Sequence, residues 1–238
     1  VGVVTRPDAV RSRGKRTEPS PVKAEALERG LEVVEASRVT PEVLERLAAL
    51  APDVTCVAAF GCILPDALLA LAPLGCYNVH GSLLPRWRGA APIQRAVLAG
   101  DERVGASIMR VTHELDAGAW CRQVSCEVGN HSGDELLGMV GEQGARALVE
   151  SLRDIEAGRA EWHEQDESQV TYAHKIEKAE MRLDPAAGAL DNLRRVRAST
   201  DAAPARCVIA GKGVRITRAV AHVGEGPEAG VVAHDRSG

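Results

Sequence analysis

Asn78 and His80 stand two residues apart in the segment Asn78-Val79-His80-Gly81-Ser82-Leu83-Leu84-Pro85. On a strand, residues i and i+2 project to one face. A carboxamide that can donate hydrogen bonds and an imidazole that can carry a proton near neutral pH are therefore presented together. Gly81 allows a sharp turn and Pro85 keeps a helix from starting early, so the pair is expected at the carboxyl end of a strand, where open α/β sheets bind ligands. A carboxylate follows in Leu115-Asp116-Ala117-Gly118, just after a strand-like run ending near Val111. If the two strands are neighbours, Asp116 reaches the same sheet edge as His80, an acid/base arrangement. Taken singly, Asp116 also reads as a turn residue and His80 as a histidine satisfied by backbone groups.

Other chemistries compete for these residues. His80, His113, Asp116 and His131 carry metal-ligand atoms, but none has the H-x-x-x-H or H-x-x-E-H spacing that aligns ligands on one helical face, and no metal is expected. Gly81-Ser82-Leu83 lacks the G-x-S-x-G elbow that exposes a nucleophilic serine, which leaves Ser82 a turn or supporting role. Arg86-Trp87-Arg88-Gly89 sets an aromatic between two cations: either it stacks a base and grips phosphate, or Trp87 packs inward while both arginines stay in water.

The elements that must position these groups alternate. Val1 to Thr5 reads as a strand, and Arg6 to Ser20 as a loop long enough to be functional. Pro21 to Arg29 reads as a helix, Leu31 to Glu35 as a strand, and Thr40-Pro41 as the cap and first position of a helix through Leu50. Then come strand Val54 to Phe60, helix Asp66 to Leu71, strand Cys76 to His80, helix Pro92 to Leu98 and strands Ala106 to Val111 and Ala119 to Val128. Ser132-Gly133-Asp134-Glu135 matches a capping box opening a helix to about Ala157. The alternation predicts a largely parallel sheet. With no G-x-G-x-x-G, a dinucleotide site has no support. Trp162 to Ala187 reads as a linker, Ala189 to Ala198 as a helix, Ala205 to Ala210 and Gly213 to Val220 as a hairpin about Gly211-Lys212, and Gly230 to Ala233 as a further strand.

Composition bounds the class. The 238 residues are 45% hydrophobic and 26% charged, enough for a full core plus a smaller piece. Six cysteines without a C-x-x-C pair point to a reducing cytoplasm, without disulfides or structural zinc. The apolar window Val54 to Cys76 is cut by Pro65 and Pro73, so it reads as strand, helix and strand rather than a membrane span. No signal peptide is evident, and an opening on Val1 rather than Met leads us to expect a preceding segment. A formal charge of -4 argues against a generic nucleic-acid binder. Local basic groups qualify this: Arg6, Arg11, Arg13, Lys15 and Arg16 in the long loop, and Arg194, Arg195 and Arg197 later.

The run from Asn78 through Pro85, continued by Arg86-Trp87-Arg88-Gly89-Ala90-Ala91-Pro92-Ile93-Gln94-Arg95-Ala96, closely resembles the signature of the methionyl-tRNA formyltransferases. Arg13-Gly14-Lys15-Arg16 with Pro19 to Lys23, Ala59 to Pro65, Leu115 to Gly118 and Val170 to Ile176 resemble further family stretches. The N-x-H and L-D-x-G pair alone marks the wider folate-dependent group, and the R-W-R-G-A-A-P-I-Q-R continuation narrows it. The resemblance implies an α/β fold, a Rossmann-like largely parallel sheet with helices on both faces, followed by a smaller mostly-β, OB-like barrel domain that looks incomplete. A catalytic domain over 1–171, lacking the family's first strand, a linker over 172–188 and a partial β domain over 189–238 are expected.

By the same resemblance, Asn78, His80 and Asp116 are catalytic. Phe60, Ile63, Leu64, Pro65, Ser82, Leu83, Leu84 and Pro85 bind 10-formyltetrahydrofolate, the formyl donor. Arg11, Arg13, Lys15 and Arg16 hold the initiator methionyl-tRNA. A cytoplasmic monomer without metal or membrane contact is expected, and transfer to a small molecule, hydrolysis of the formyl folate, or non-catalytic RNA binding are the alternative functions. The resemblance covers most of residues 1 to about 185 and thins beyond.

Overall fold

The computed structural model describes residues 1–10 and 17–221. In chain order the elements are β1 (Gly2–Thr5), β2 (Ala9–Val10), β3 (Thr17–Glu18), α1 (Pro21–Glu28), β4 (Glu32–Glu35), α2 (Pro41–Ala49), β5 (Thr55–Val57), α3 (Asp66–Leu69) and β6 (Cys76–His80). There follow β7 (Arg88–Gly89), α4 (Pro92–Ala99), β8 (Arg103–Arg110), β9 (Trp120–Glu127), α5 (Gly133–Glu156), β10 (Tyr172–Ala173), α6 (Ala189–Arg197), β11 (Arg206–Ile209) and β12 (Lys212–Arg215). The long loop contains the hairpin β2–β3, whose connection, residues 11–16, lies outside the described residues, as does the strand expected at Gly230 to Ala233.

Helices start where the local chemistry satisfies their orphan amides. The Ser20 hydroxyl accepts from the Lys23 amide at 3.0 Å ahead of Pro21, and the Thr40 hydroxyl from Val43 at 3.4 Å ahead of Pro41. At the head of α5 the Glu135 amide donates to the Ser132 hydroxyl while the Glu135 carboxylate accepts from the Ser132 amide at 2.7 Å, the reciprocal pair the sequence predicts. Gly100, at φ 86, ends α4.

Parallel pairs join β1 to β4, β5 to β6 and β7 to β10, and one four-stranded sheet has the order β5-β6-β8-β9. Strand β8 reverses the direction of β6: the Val111 amide at its end donates to Cys76 O at the start of β6, and Ser107 meets Ser82 and Leu84. Strand β9 is antiparallel to β8, because Arg110 N donates to Ala119 O at one end and Val128 N to Glu102 O at the other. Val104 to Met109 of β8 are all buried, with Ala106 and Ile108 fully so, which explains an uninterrupted small and apolar run there.

The chain separates into two compact units: Val1–His80, Ile108–Arg122 and Leu148–Gln165 form the first, and Gly81–Ser107, Gln123–Ala147 and the chain from Asp166 the second. In the first, Val34, Leu68, Tyr77 and Met109 are core residues; in the second, Ile93, Val97, Leu136 and Met181 are. The stretch Trp162 to Ala187 is more ordered than a linker. It contributes a bridge from His163 to Trp120, a 3-10 turn at Glu167–Gln169 and strand β10. These pairings join residues far apart in sequence, so no local pattern announces them. The hairpin β11–β12 turns on Ala210 and Gly211, at φ 48 and 75, one residue before the expected pair. No helix among the described residues is long and apolar enough to cross a membrane.

Candidate active site

Strand β6 delivers Asn78 half-buried and His80 buried, with their side chains about 6–7 Å apart along one strand face by the strand repeat. His80 Nδ1 lies 3.5 Å from Asp116 Oδ2, with 5% and 17% of the two side chains exposed. The two residues are separated by 36 positions in the chain, and the antiparallel course of β8 means that strand direction alone does not join them. Strand β8 ends beside the start of β6, and the loop after it must carry Asp116 back to His80.

That loop is built for the task. Asp116 sits at φ 49, a left-handed conformation that aspartate tolerates better than most residues. Gly118 passes so near β8 that a Cβ there would fall 2.0 Å from Arg110 O, so only glycine fits. The carbonyls of Asp116 and Gly118 both accept from the Gln165 side-chain amide, each at 2.8 Å. Sequence reasoning missed Gln165 because its segment has no periodicity and reads as linker.

The residues expected to hold folate occur in two stretches. Phe60 and Leu64 are half-buried, while Ile63, at 91% exposure, and Pro65 are exposed. This turn is shaped by left-handed residues Ala59 and Gly61, and the Arg6 guanidinium donates to Gly61 O at 3.1 Å. In the second stretch, Ser82 and Leu84 are buried and Leu83 and Pro85 half-buried. The Ser82 hydroxyl donates to Arg86 O at 2.6 Å, Ser107 Oγ donates to Ser82 O at 2.6 Å, and the Leu84 amide donates to Ser107 Oγ at 3.1 Å. Gln123 completes the network by donating to Leu84 O at 2.8 Å. Ser82 and Leu84 therefore hold the turn, and Ser107 and Gln123 brace it; the latter two carry no sequence signal beyond a polar residue in a strand.

The structure matches neither reading of Arg86-Trp87-Arg88-Gly89 in full: Trp87 is half-buried and Arg86 exposed, but Arg88, expected in water, is buried, because an acidic partner from a distant segment reaches it. Trp87 Nε1 donates to Asp101 at 2.8 Å, Arg86 pairs with the same carboxylate, and Arg88 is 3% exposed and pairs with Glu167 at 2.7 Å. The residues expected to hold tRNA, Arg11, Arg13, Lys15 and Arg16, lie outside the described residues. Their hairpin is anchored at its root, where the Lys23 ammonium bridges Asp8 at 2.8 Å and Glu35 at 2.5 Å; hydrogen bonds to these carboxylates raise the Lys23 pKa. Behind the site, burial pushes the Cys76 thiol up to about 11 and raises the Tyr77 phenol. No group of three or more His, Cys, Asp or Glu side chains suited to a metal ion occurs among the described residues.

An α/β chain that brings a buried histidine and a carboxylate together beside a strand-borne carboxamide has the parts of a group-transfer enzyme. A family model described as formyl transferase matches residues 1–152. The methionyl-tRNA formyltransferase of Methylococcus capsulatus is 47% identical over 220 residues, covering 90% of this chain and 70% of that protein. That of Pseudomonas paraeruginosa is 40% identical over 240 residues, covering 100% of this chain and 77% of its own. Among solved structures, HypX from Aquifex aeolicus in complex with tetrahydrofolic acid superposes with a TM-score of 0.68 at 22% identity, over 88% of this chain and 37% of that one. Methionyl-tRNA formyltransferase from Clostridium thermocellum gives 0.64 at 14% identity, over 85% and 88%. These two structures show a shared fold. The chain belongs to the formyl transferase family, and its relatives at 40–47% identity are methionyl-tRNA formyltransferases.

Proposed function

We propose that this enzyme transfers the formyl group of 10-formyltetrahydrofolate to the α-amine of methionyl initiator tRNA, giving the N-formylmethionyl-tRNA used to begin translation. The observation that carries the chemistry is the 3.5 Å approach of His80 to Asp116 beside Asn78; the acceptor is assigned from the 40–47% identity to enzymes of that name. The donor folate supplies an activated formamide carbon. The incoming amine nitrogen bonds to that carbon, the N10–carbon bond breaks, and one proton passes from the amine to N10, so no metal or covalent enzyme intermediate is required.

Each side chain has a role in that sequence. The Asn78 carboxamide donates to the oxygen as it gains negative charge, where a hydrogen bond counts for most. With a proton on Nδ1 facing Asp116, Nε2 is the basic nitrogen of His80 that takes a proton from the reacting amine; Asp116 fixes that tautomer and stabilises the imidazolium that results. His80 is buried, while Asp116 is only half-buried. For the folate, the apolar turn Phe60, Ile63, Leu64 and Pro65 and the half-buried Leu83 and Pro85 offer surface for a ring, while Ser82 and Leu84 support the second stretch from within. Arg11, Arg13, Lys15 and Arg16 hold the acceptor stem through phosphate contacts. The enzyme acts as a cytoplasmic monomer.

Incubating the purified protein with 10-formyltetrahydrofolate and labelled methionyl-tRNA tests the reading. Formylmethionyl-tRNA is the expected product; formate alone, or no product, refutes it. Replacing Arg13 and Lys15 by Ala raises KM for the tRNA with little change for folate, and an equal loss for both substrates removes the tRNA role of this loop.

A further inference from the structure

We infer that Gln165 is a positioning residue for Asp116, holding the backbone on both sides of the carboxylate in the geometry that meets His80. The inference rests on the reading of Asp116 as part of the catalytic group. Both hydrogens of the Gln165 amide are directed to one turn, at 2.8 Å to Asp116 O and 2.8 Å to Gly118 O. The residue between those carbonyls is Ala117, and Asp116 itself occupies a left-handed conformation, φ 49, that a free loop would sample only in part. A local bond from Ala117 N to Glu114 O measures 3.5 Å, too long to fix the turn alone.

Gln165 is in turn held by its own chain. Two residues before it, His163 exchanges backbone hydrogen bonds with Trp120 at 2.8 and 3.0 Å, and the two rings stack at 4.4 Å between centroids. Three residues before it, Trp162 stacks on Tyr77 at 5.5 Å and lies under the Arg110 guanidinium at 4.0 Å. Arg110 ends β8, and Tyr77 precedes Asn78 on β6. The segment Trp162 to Gln165 thus ties the ends of both strands that bear the site to the turn carrying Asp116, and the double hydrogen bond is its last link. A carboxamide is the suitable group, because it supplies two donors from one nitrogen without adding a charge beside the His80–Asp116 pair.

Three variants of the full chain test this: Gln165→Met, which keeps the side chain's length and removes both donors; Gln165→Glu, which replaces them with acceptors; and Asp116→Asn. Loss of the link displaces Asp116 by a fraction of an ångström to an ångström, so kcat falls about tenfold to a hundredfold in both Gln165 variants, with both KM values within about twofold of wild type. In the double variant Gln165→Met with Asp116→Asn, the losses are strongly less than multiplicative, because both act through one carboxylate. Wild-type kcat in Gln165→Met, a lowered melting temperature alone, or multiplicative losses overturn the inference while leaving the site reading intact, provided Asp116→Asn is impaired. Full activity in Asp116→Asn instead refutes the site reading itself.

Discussion

Replacing Gly118 by Ala is the sharpest test of how the loop after β8 places Asp116. A methyl carbon built on Gly118 lies 2.0 Å from Arg110 O, 3.0 Å from Arg110 C and 3.1 Å from Thr112 Cγ2, whereas such carbons essentially never approach within 3.0 Å of another heavy atom. The oxygen belongs to the backbone of β8, so the loop must yield, by about 1 Å. Moving Asp116 away from His80 by that amount takes its carboxylate from 3.5 Å to roughly 4.5 Å from His80 Nδ1, beyond ion-pair contact. Misplacement of this size costs on the order of 10²-fold in rate, equivalent to about 2.7 kcal/mol of transition-state stabilisation. Overpacking costs about 1–3 kcal/mol of stability, a Tm lowered by roughly 2–4 °C for each kcal/mol in a chain of this size. Formyl transfer measured at 25 °C, well below the transition, separates the two effects. A Gly118→Ala protein with kcat within twofold of wild type refutes the argument that this close approach sets the position of Asp116.

Asn78→Ala should lower kcat by about 10²–10³-fold with both KM values nearly unchanged, because its donor is used when charge develops on the formyl oxygen; steady-state kinetics in which only KM rises would move Asn78 to a binding role. Ser107→Ala removes the acceptor for the Leu84 amide and the donor to Ser82 O in a fully buried position. It should cost about 1–3 kcal/mol in chemical denaturation, and an unchanged midpoint would show that the turn is held elsewhere. With its thiol pushed up to about 11 by burial, Cys76 should resist iodoacetamide at pH 8 in the native protein, where about one thiol in 10³ is ionised, and react once the chain is denatured. The same raised value makes the folded state lose stability as pH climbs from the ordinary thiol range of 9.0 to about 11, since the unfolded chain ionises first. Mass spectrometry showing Cys76 alkylated in the native protein at the rate of a free thiol would contradict its burial.

What the sequence determined by itself is local. Caps at Ser20, Thr40 and Ser132, prolines at first helical positions, and the two-residue spacing of Asn78 and His80 depend on neighbours within a few residues, so they are legible in order along the chain. The resemblance carried by residues 78–96 and 115–118 likewise needs no coordinates. Tertiary structure decided the rest, because long-range pairing leaves no mark on local composition. Nothing in the residues of β8 says that it runs against β6, and with it the task of reaching His80 passes from strand direction to the loop bearing Asp116. A linker-like stretch contains Gln165 for the same reason: its amide finds its partners 47 and 49 residues away. Side-chain burial was equally hidden, so only the folded chain shows that Trp87 and Arg88 pack within the protein and that Ser82 and Leu84 brace a turn. Backbone hydrogen bonding and burial are properties of what a residue meets, and distant residues meet only once the chain has folded.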